Sequence, residues 1–518
     1  MEQTGVTQPE TPGDRGAADG RKQVRGSALL VVGRVAAMVL GMATQVLIVR
    51  ALTKGDFGAF AYALALAAAA RVLLSLGQGK LLSRFMAKYE EEQDYARMFG
   101  AMFLAVGTIA VTSVVAIIAA FLFSGALLGG SADSDTAVDL FLIMIFLAPL
   151  EALDMVFVSL FAVFSKPRAI FFRKYLMTPG LRLVVVLLLV TLDSSVKFLA
   201  VGYVVASVVG ILLYFLLLIR VLRERGLLQQ LDIRNVVFPV KAVFAFSFPL
   251  ITSELVLLSL NVGGVIILEL STHSMDDVAI YRSVFNSARL NTAVTAAFVT
   301  LFLPVIARLF ARADMDGLRR TYWQTAAFVA VLTFPIFALT GPLAPATTVA
   351  LFEARYAEAG SVLALLSVGY YFNVMLGFNA YTLQVCERIR YLVGVNVVVM
   401  ALNIGLCFLL APKYAATGVA AANCAALVTQ NMLNQWALRR SMQTAFIDRS
   451  CVRCYLVIVA CSLALWAFQV TLEPGIVLCL LAAGAASLIV LYASRSSLEL
   501  SETFPELARI PLLGRLLR

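Results

Sequence analysis

Fourteen apolar stretches follow one another through this chain, each close to the roughly 20 residues that cross the hydrocarbon core of a bilayer as a helix. They fall near 27–51, 57–77, 99–125, 138–164, 174–193, 198–219, 244–270, 279–307, 321–343, 360–383, 391–411, 415–438, 452–472 and 475–494. Lipid offers the backbone no hydrogen-bond partners, so a continuous segment of this length must satisfy its own N–H and C=O groups, which an α-helix does. The expected fold is an all-α polytopic membrane protein. A hydrophobic fraction of 61%, 14% charged residues and a mean hydropathy of +0.90 exclude a soluble globular chain, whose apolar share is about 45–50%.

The connections alternate in charge. Arg15, Arg21, Lys22 and Arg25 precede the first stretch, Lys80, Arg84, Lys88 and Arg97 follow the second, and Lys166, Arg168, Arg173 and Lys174 follow the fourth. The pattern continues to the carboxyl-terminal tail, while the intervening connections hold only Lys54, Lys197, Arg355 and Lys413. By the positive-inside rule the loaded side is cytoplasmic, with both termini inside. A net charge of +10 distributed among short loops beside apolar runs fits anionic membrane lipids as partners and not nucleic acid.

Residues 1–25 are polar and rich in Gly, Pro and Thr, and are expected to form a disordered cytoplasmic tail. They are not a signal peptide, because the apolar run behind them is too long and lacks a small-residue cleavage site. None of the seven cysteines falls in an outside loop, so no disulfide framework is implied. Cys451 and Cys454 form a CxxC, but the single histidine, His273, lies on the opposite side. No metal site or cofactor is expected. The longest connections, 78–98 and 220–243, alternate apolar and charged residues, as in Leu81, Leu82, Phe85 and Met86 against Lys80, Arg84 and Lys88; this suits helices in the membrane interface.

A weak repeat relates the exit from the first stretch, Leu47 to Leu52 followed by Asp56 to Ala61, to that from the seventh, Val265 to Leu270 followed by Asp276 to Tyr281. Two copies of six helices imply two facing bundles with a binding site between them. The expected organisation is a 1–25 tail, a lobe over 26–220, a cytoplasmic amphipathic linker over 221–243, a second lobe over 244–440, two extra helices over 441–495 and a cytoplasmic tail over 496–518.

The opening Gly26 to Ala28 with Arg34, the phrase Arg50 to Tyr62, Leu76 and Gly77 before a basic helix, Phe246 to Pro249, and Ala279 to Leu290 resemble the multidrug/oligosaccharidyl-lipid/polysaccharide (MOP) exporter superfamily, in particular its bacterial polysaccharide-biosynthesis, Wzx-like flippase branch. The resemblance runs from about residue 25 to 495. It implies two six-helix lobes in a V, opening alternately to each face and moving undecaprenyl-pyrophosphate-linked sugars outward across the inner membrane. In the branch that binds peptidoglycan precursor, arginines of helices one, two and eight line the cavity; the matching positions are Arg34, Arg71 and one of Arg282 or Arg289, of which Arg289 is preferred because Arg282 lies near the outer surface.

A charge at the centre of a membrane helix costs about 2.5–3.5 kcal/mol, so each needs a partner, a wet cavity or a function. Arg34 and Arg71 each lie about seven residues from the cytoplasmic end of their helices, at roughly 10 Å depth. Two guanidinium forks at one level suit a pyrophosphate; snorkelling to the headgroups is the plainer role. Glu151 and Asp154 share a helix face and are expected either to pair with Arg182 or another base, or to couple transport to a cation. Glu254 carries the same two readings. Pro249, near it, leaves a carbonyl free and is a candidate hinge. Gly33, Ala37 and Gly41 form a small-residue stripe suited to close helix packing.

The leading expectation is a flippase for lipid-linked oligosaccharide in cell-surface polysaccharide synthesis, not an enzyme, acting with membrane lipids and a polysaccharide polymerase complex. The rivals are a cation-coupled multidrug exporter of the same superfamily and a membrane glycosyltransferase or polymerase; the short outside loops disfavour the latter.

Overall fold

The computed structural model of the chain describes residues 12–128, 134–164, 167–241, 254–442 and 448–498. Thirteen of its helices are long and apolar enough to cross a membrane. One of them, Ile389–Met442, has 54 residues, about 81 Å at 1.5 Å per residue. It breaks at Ala415, whose φ of 46° and ψ of −131° are not helical, three residues after Pro412. Pro412 lacks an N–H and disrupts the helical ladder there. The segment is two crossings joined by a bend, so hydropathy's fourteen crossings are present.

Spans one to six build one lobe and seven to twelve the other, while Cys451–Leu472 and Ile476–Arg495 pack on the ninth span, Met315–Thr340. The first helix begins at Pro12 and runs to Ala51, so residues 12–25 are helical where a disordered tail was expected. Proline at the first helical position sacrifices an N–H that has no intrahelical partner, and the turns behind it continue the apolar span.

The repeat is visible in local chemistry. The second span, Lys54–Ser75, opens with Thr53 accepting from Asp56 N–H at 3.1 Å, and the eighth, Met275–Ala311, with Ser274 accepting from Asp277 N–H at 3.2 Å. Each side-chain oxygen satisfies an amide that the first helical turn leaves unpaired. The structural match therefore sets Asp56 against Asp277, one residue from the alignment expected. These two spans cross at their starts: a Cβ on Gly58 would stand 1.9 Å from the Met275 carbonyl oxygen. Only glycine allows so close an approach.

Apolar packing joins the lobes at this end and separates them at the other. A single core holds Val49, Phe60 and Leu140 of the first lobe together with Leu268, Phe285 and Leu363 of the second. Toward the basic connections the first lobe has its own core around Met86, Phe161 and Tyr214, and the second has its own around Ile306, Tyr322 and Leu438. Burial of apolar surface is the main favourable term, so the V is closed where the core is shared.

The two long basic connections depart from the expected interface helices. In Gln78–Glu91, Leu82, Phe85, Met86 and Tyr89 are buried in the first lobe's core; the apolar stripe is used on protein, not lipid. The 221–243 linker is not one amphipathic helix. The sixth span ends at Glu224, Gly226 turns with a φ of 69°, and 3₁₀ turns follow at Leu227–Gln230 and Ile233–Asn235. Its continuation lies across the third span, where a Cβ on Gly100 would meet Val237 O at 2.0 Å.

Candidate functional site

A cavity of about 320 Å³ lies between the lobes, walled by the first, second, fifth, sixth and eighth spans. The first span supplies Ala37, Gly41, Thr44, Gln45 and Ile48, spaced as one helical face. Gly33 belongs to a different contact: a Cβ there would stand 2.7 Å from the Phe171 ring, whereas Gly41 faces open space. The expected stripe is thus divided between packing and cavity wall. Lys174, Arg182 and Arg282 are the charged residues of the lining, which includes no carboxylate.

Lys174 and Arg182 come from the fifth span, Phe171–Thr191, whose first seven residues, Phe171–Met177, form a π turn. The wider turn leaves Arg173 O accepting from both the N–H and the hydroxyl of Thr178, the latter at 2.9 Å. Arg182 donates to Glu151 at 3.1 Å and lies 5.0 Å over the Tyr203 ring. Glu151 also faces Arg71, at 3.6 Å. Asp154 pairs with Arg173, whose guanidinium additionally donates to Gly210 O at 3.1 Å and stacks 4.3 Å from the Tyr214 ring. Glu151 and Asp154 are therefore both engaged with arginines of their own lobe.

Across the cavity, Arg282 lies 5.1 Å over the Phe285 ring. Gln45 donates to the carbonyls of Arg282 and Ser283, at 2.8 and 3.0 Å, and accepts from Asn286. These bonds hold the end of the first span against the beginning of the eighth.

Arg34 and Arg71, expected to face one cavity at one depth, are not among the residues that line this one. Arg71 turns its guanidinium to Glu151 and to Met155 Sδ, at 2.9 Å, within the first lobe, because the carboxylate relieves the cost of its burial. Arg34 is exposed; it lies one turn from Ala37 toward the basic end and is close enough to Lys174 to act on it electrostatically. Arg289, preferred over Arg282, is exposed and 5.8 Å from the Phe285 ring centroid, and it is Arg282 that lines the cavity. Seven residues from the start of its span, Arg282 is deep enough because the lobes close around that end. Glu254 is buried at the beginning of the described part of the seventh span. Pro249 lies outside the described residues.

Lys174, Gln45 and Tyr203 are cavity residues that the sequence did not point to. Lys174 looked like a loop residue because it begins an apolar run. The signal was Thr178–Pro179 inside that run, a proline that interrupts the regular helical ladder.

The family profile described as polysaccharide biosynthesis protein matches residues 23–310. The chain belongs to that family. With it comes membership of the MOP superfamily. Among solved structures, this polysaccharide biosynthesis protein is similar to the lipid II flippase MurJ in an inward closed conformation, with a TM-score of 0.68, 14% identity, 91% of this chain covered and 98% of that one. It is also similar to an inward-facing multidrug resistance MATE family transporter, with a TM-score of 0.62, 13% identity, and 79% and 96% covered. A MOP superfamily transporter from Pyrococcus furiosus follows at a TM-score of 0.52 and 14% identity, with 82% and 96% covered. At these identities the likeness is one of fold. No curated protein matches the sequence. The fold is thus the two-lobed, all-helical transporter architecture of the superfamily.

Chemically, the charged side chains that line the cavity are all basic. Cations in a low-dielectric wall without lining carboxylates attract an anionic ligand more strongly than water would allow, and guanidinium and ammonium groups together match phosphate oxygens.

Proposed function

We propose that this polysaccharide biosynthesis protein is a flippase for undecaprenyl-pyrophosphate-linked oligosaccharide in the bacterial inner membrane. The observation that carries the reading is the cavity wall: Lys174, Arg182 and Arg282 converge there without a lining carboxylate. The pyrophosphate enters from the basic, cytoplasmic face past Arg34, between the separate cores of the two lobes, and binds among these cations. At about 320 Å³ the cavity holds the headgroup, while the sugars and the lipid tail extend into the open end of the V and the bilayer. Rocking of the lobes then opens the opposite end and releases the substrate outside, where a polymerase takes it up.

The cation-coupled drug exporter, the other reading the fold allows, calls for a cavity that attracts cationic drugs. A wall of bases repels them.

The test is Arg182→Gln and Arg282→Gln in cells that make surface polymer. Each is expected to abolish polymer at unchanged protein level. Normal polymer in both removes the headgroup role of the cavity.

A further inference from the structure

We propose that Lys174 is a headgroup-binding cation and that Arg173, held by Asp154, is the residue that positions it. This rests on the cavity being a pyrophosphate site and assigns part of its selectivity to the π turn of the fifth span.

Arg173 and Lys174 are consecutive but have opposite fates. Arg173 is 4% exposed and has its guanidinium committed three ways, to Asp154, to Gly210 O and to the face of Tyr214. Gly210 lies directly beneath that seat, where a Cβ would stand 2.5 Å from the Arg173 terminal nitrogen. The neighbouring Lys174 lines the cavity. Its side chain lies 5.9 Å from the Tyr175 ring, with no bonded carboxylate of its own among the described residues. Asp154 acts on it through space, but that carboxylate is engaged by Arg173.

The π turn supplies the register. In a regular α-helix four residues overshoot a full turn by about 40°, so Lys174, Thr178 and Arg182 would fan out across the wall. The wider turn over Phe171–Met177 removes much of that drift, and all three line the cavity. Two observations show what holds the turn open: the Thr178 hydroxyl satisfies Arg173 O, and the first span packs onto it through Gly33, where a Cβ would meet Phe171 and Tyr175 at 2.7 and 2.9 Å. Extra-width turns of this kind recur at functional sites. Here the buried pair fixes the turn from behind while the next residue presents an ammonium in front.

The experiment is the binding of inorganic pyrophosphate to the purified full-length chain in lipid nanodiscs, by calorimetry. Lys174→Gln removes a wall group and no buried pair; it should weaken binding about tenfold or more. Arg173→Gln should weaken it comparably, and the double variant should bind no more weakly than Lys174→Gln. Arg173→Lys, which retains a charge opposite Asp154, should recover much of the affinity. Monodispersity of each variant is read by size-exclusion chromatography, and if Arg173→Gln fails to fold, Lys174→Gln and Arg173→Lys decide the matter alone. Wild-type affinity in Lys174→Gln, with affinity lost in Arg182→Gln and Arg282→Gln, overturns this assignment and leaves the pyrophosphate site standing. A further loss in the double variant overturns the positioning role. Absence of pyrophosphate binding by the wild-type chain overturns the site itself, and this assignment with it.

Discussion

Arg50 and Arg355 each hold the carbonyl end of the helix beside the other. Arg355, from the second lobe, donates to Val49 O, Arg50 O and Leu52 O at 2.7, 2.8 and 2.9 Å, where the first span ends. Arg50 answers with bonds to Ala350 O and Leu351 O at 2.7 and 2.9 Å, in the last turn of the short helix Ala344–Phe352. The last four carbonyls of a helix lack intrahelical partners and carry the negative end of its dipole, so a cation satisfies both at once. Glu353 has a φ of 71° and a ψ of 167°, a conformation almost confined to glycine, and it pairs with Arg355 at 3.2 Å.

These bonds join the two lobes at the end where they share a core, and they must break for that end to open. Arg355→Gln should therefore shift the population toward the state open on the outer face, roughly 5- to 30-fold for a loss of about 1–2 kcal/mol. A cysteine replacing Ile48, which is buried and lines the cavity, reports this in intact cells through labelling by a membrane-impermeant maleimide. Unchanged labelling would show that the shared apolar core alone holds the end shut.

Asp154 and Glu151 differ in what their removal strands. Asp154→Asn leaves the Arg173 guanidinium deeply buried, and breaking such a pair costs about 3–5 kcal/mol. Glu151→Gln strands Arg71 and Arg182, whose side chains are 22% and 27% exposed, so solvent moderates the cost. Thermal unfolding in detergent should place Asp154→Asn well below Glu151→Gln. The reverse order would contradict the packing described for Arg173.

Arg71 and Arg282 are expected to part company. Arg282→Gln should cost pyrophosphate binding about tenfold or more, whereas Arg71→Gln should change it little while lowering the melting temperature, because its guanidinium serves Glu151 inside the lobe. Equal loss of binding in both would return Arg71 to the cavity.

Among the glycines, Gly58→Ala should be damaging and Gly41→Ala neutral. The first drives a methyl against the Met275 backbone and the second adds one to open space. Overpacking of this kind costs about 1–3 kcal/mol. Protein yield from membranes and melting temperature separate the two; a well-folded Gly58→Ala would mean that the second and eighth spans can move apart at their crossing.

The number of crossings and the two-lobed repeat were decided by sequence, because the free energy of placing residues in lipid depends on local composition and length. Fourteen crossings follow from that. The presence of charges needing partners was legible for the same reason. Which partner each took was not. Arg71 and Arg282 both begin as single bases in apolar runs, and only tertiary packing turned one to Glu151 and the other to the cavity. Lys174 was hidden because a π turn changes which face a residue occupies, and that depends on how the first span packs against it. The reciprocal arginines at the closed end were likewise invisible, since their acceptors are backbone carbonyls about 300 residues away along the chain, and carbonyls carry no sequence identity.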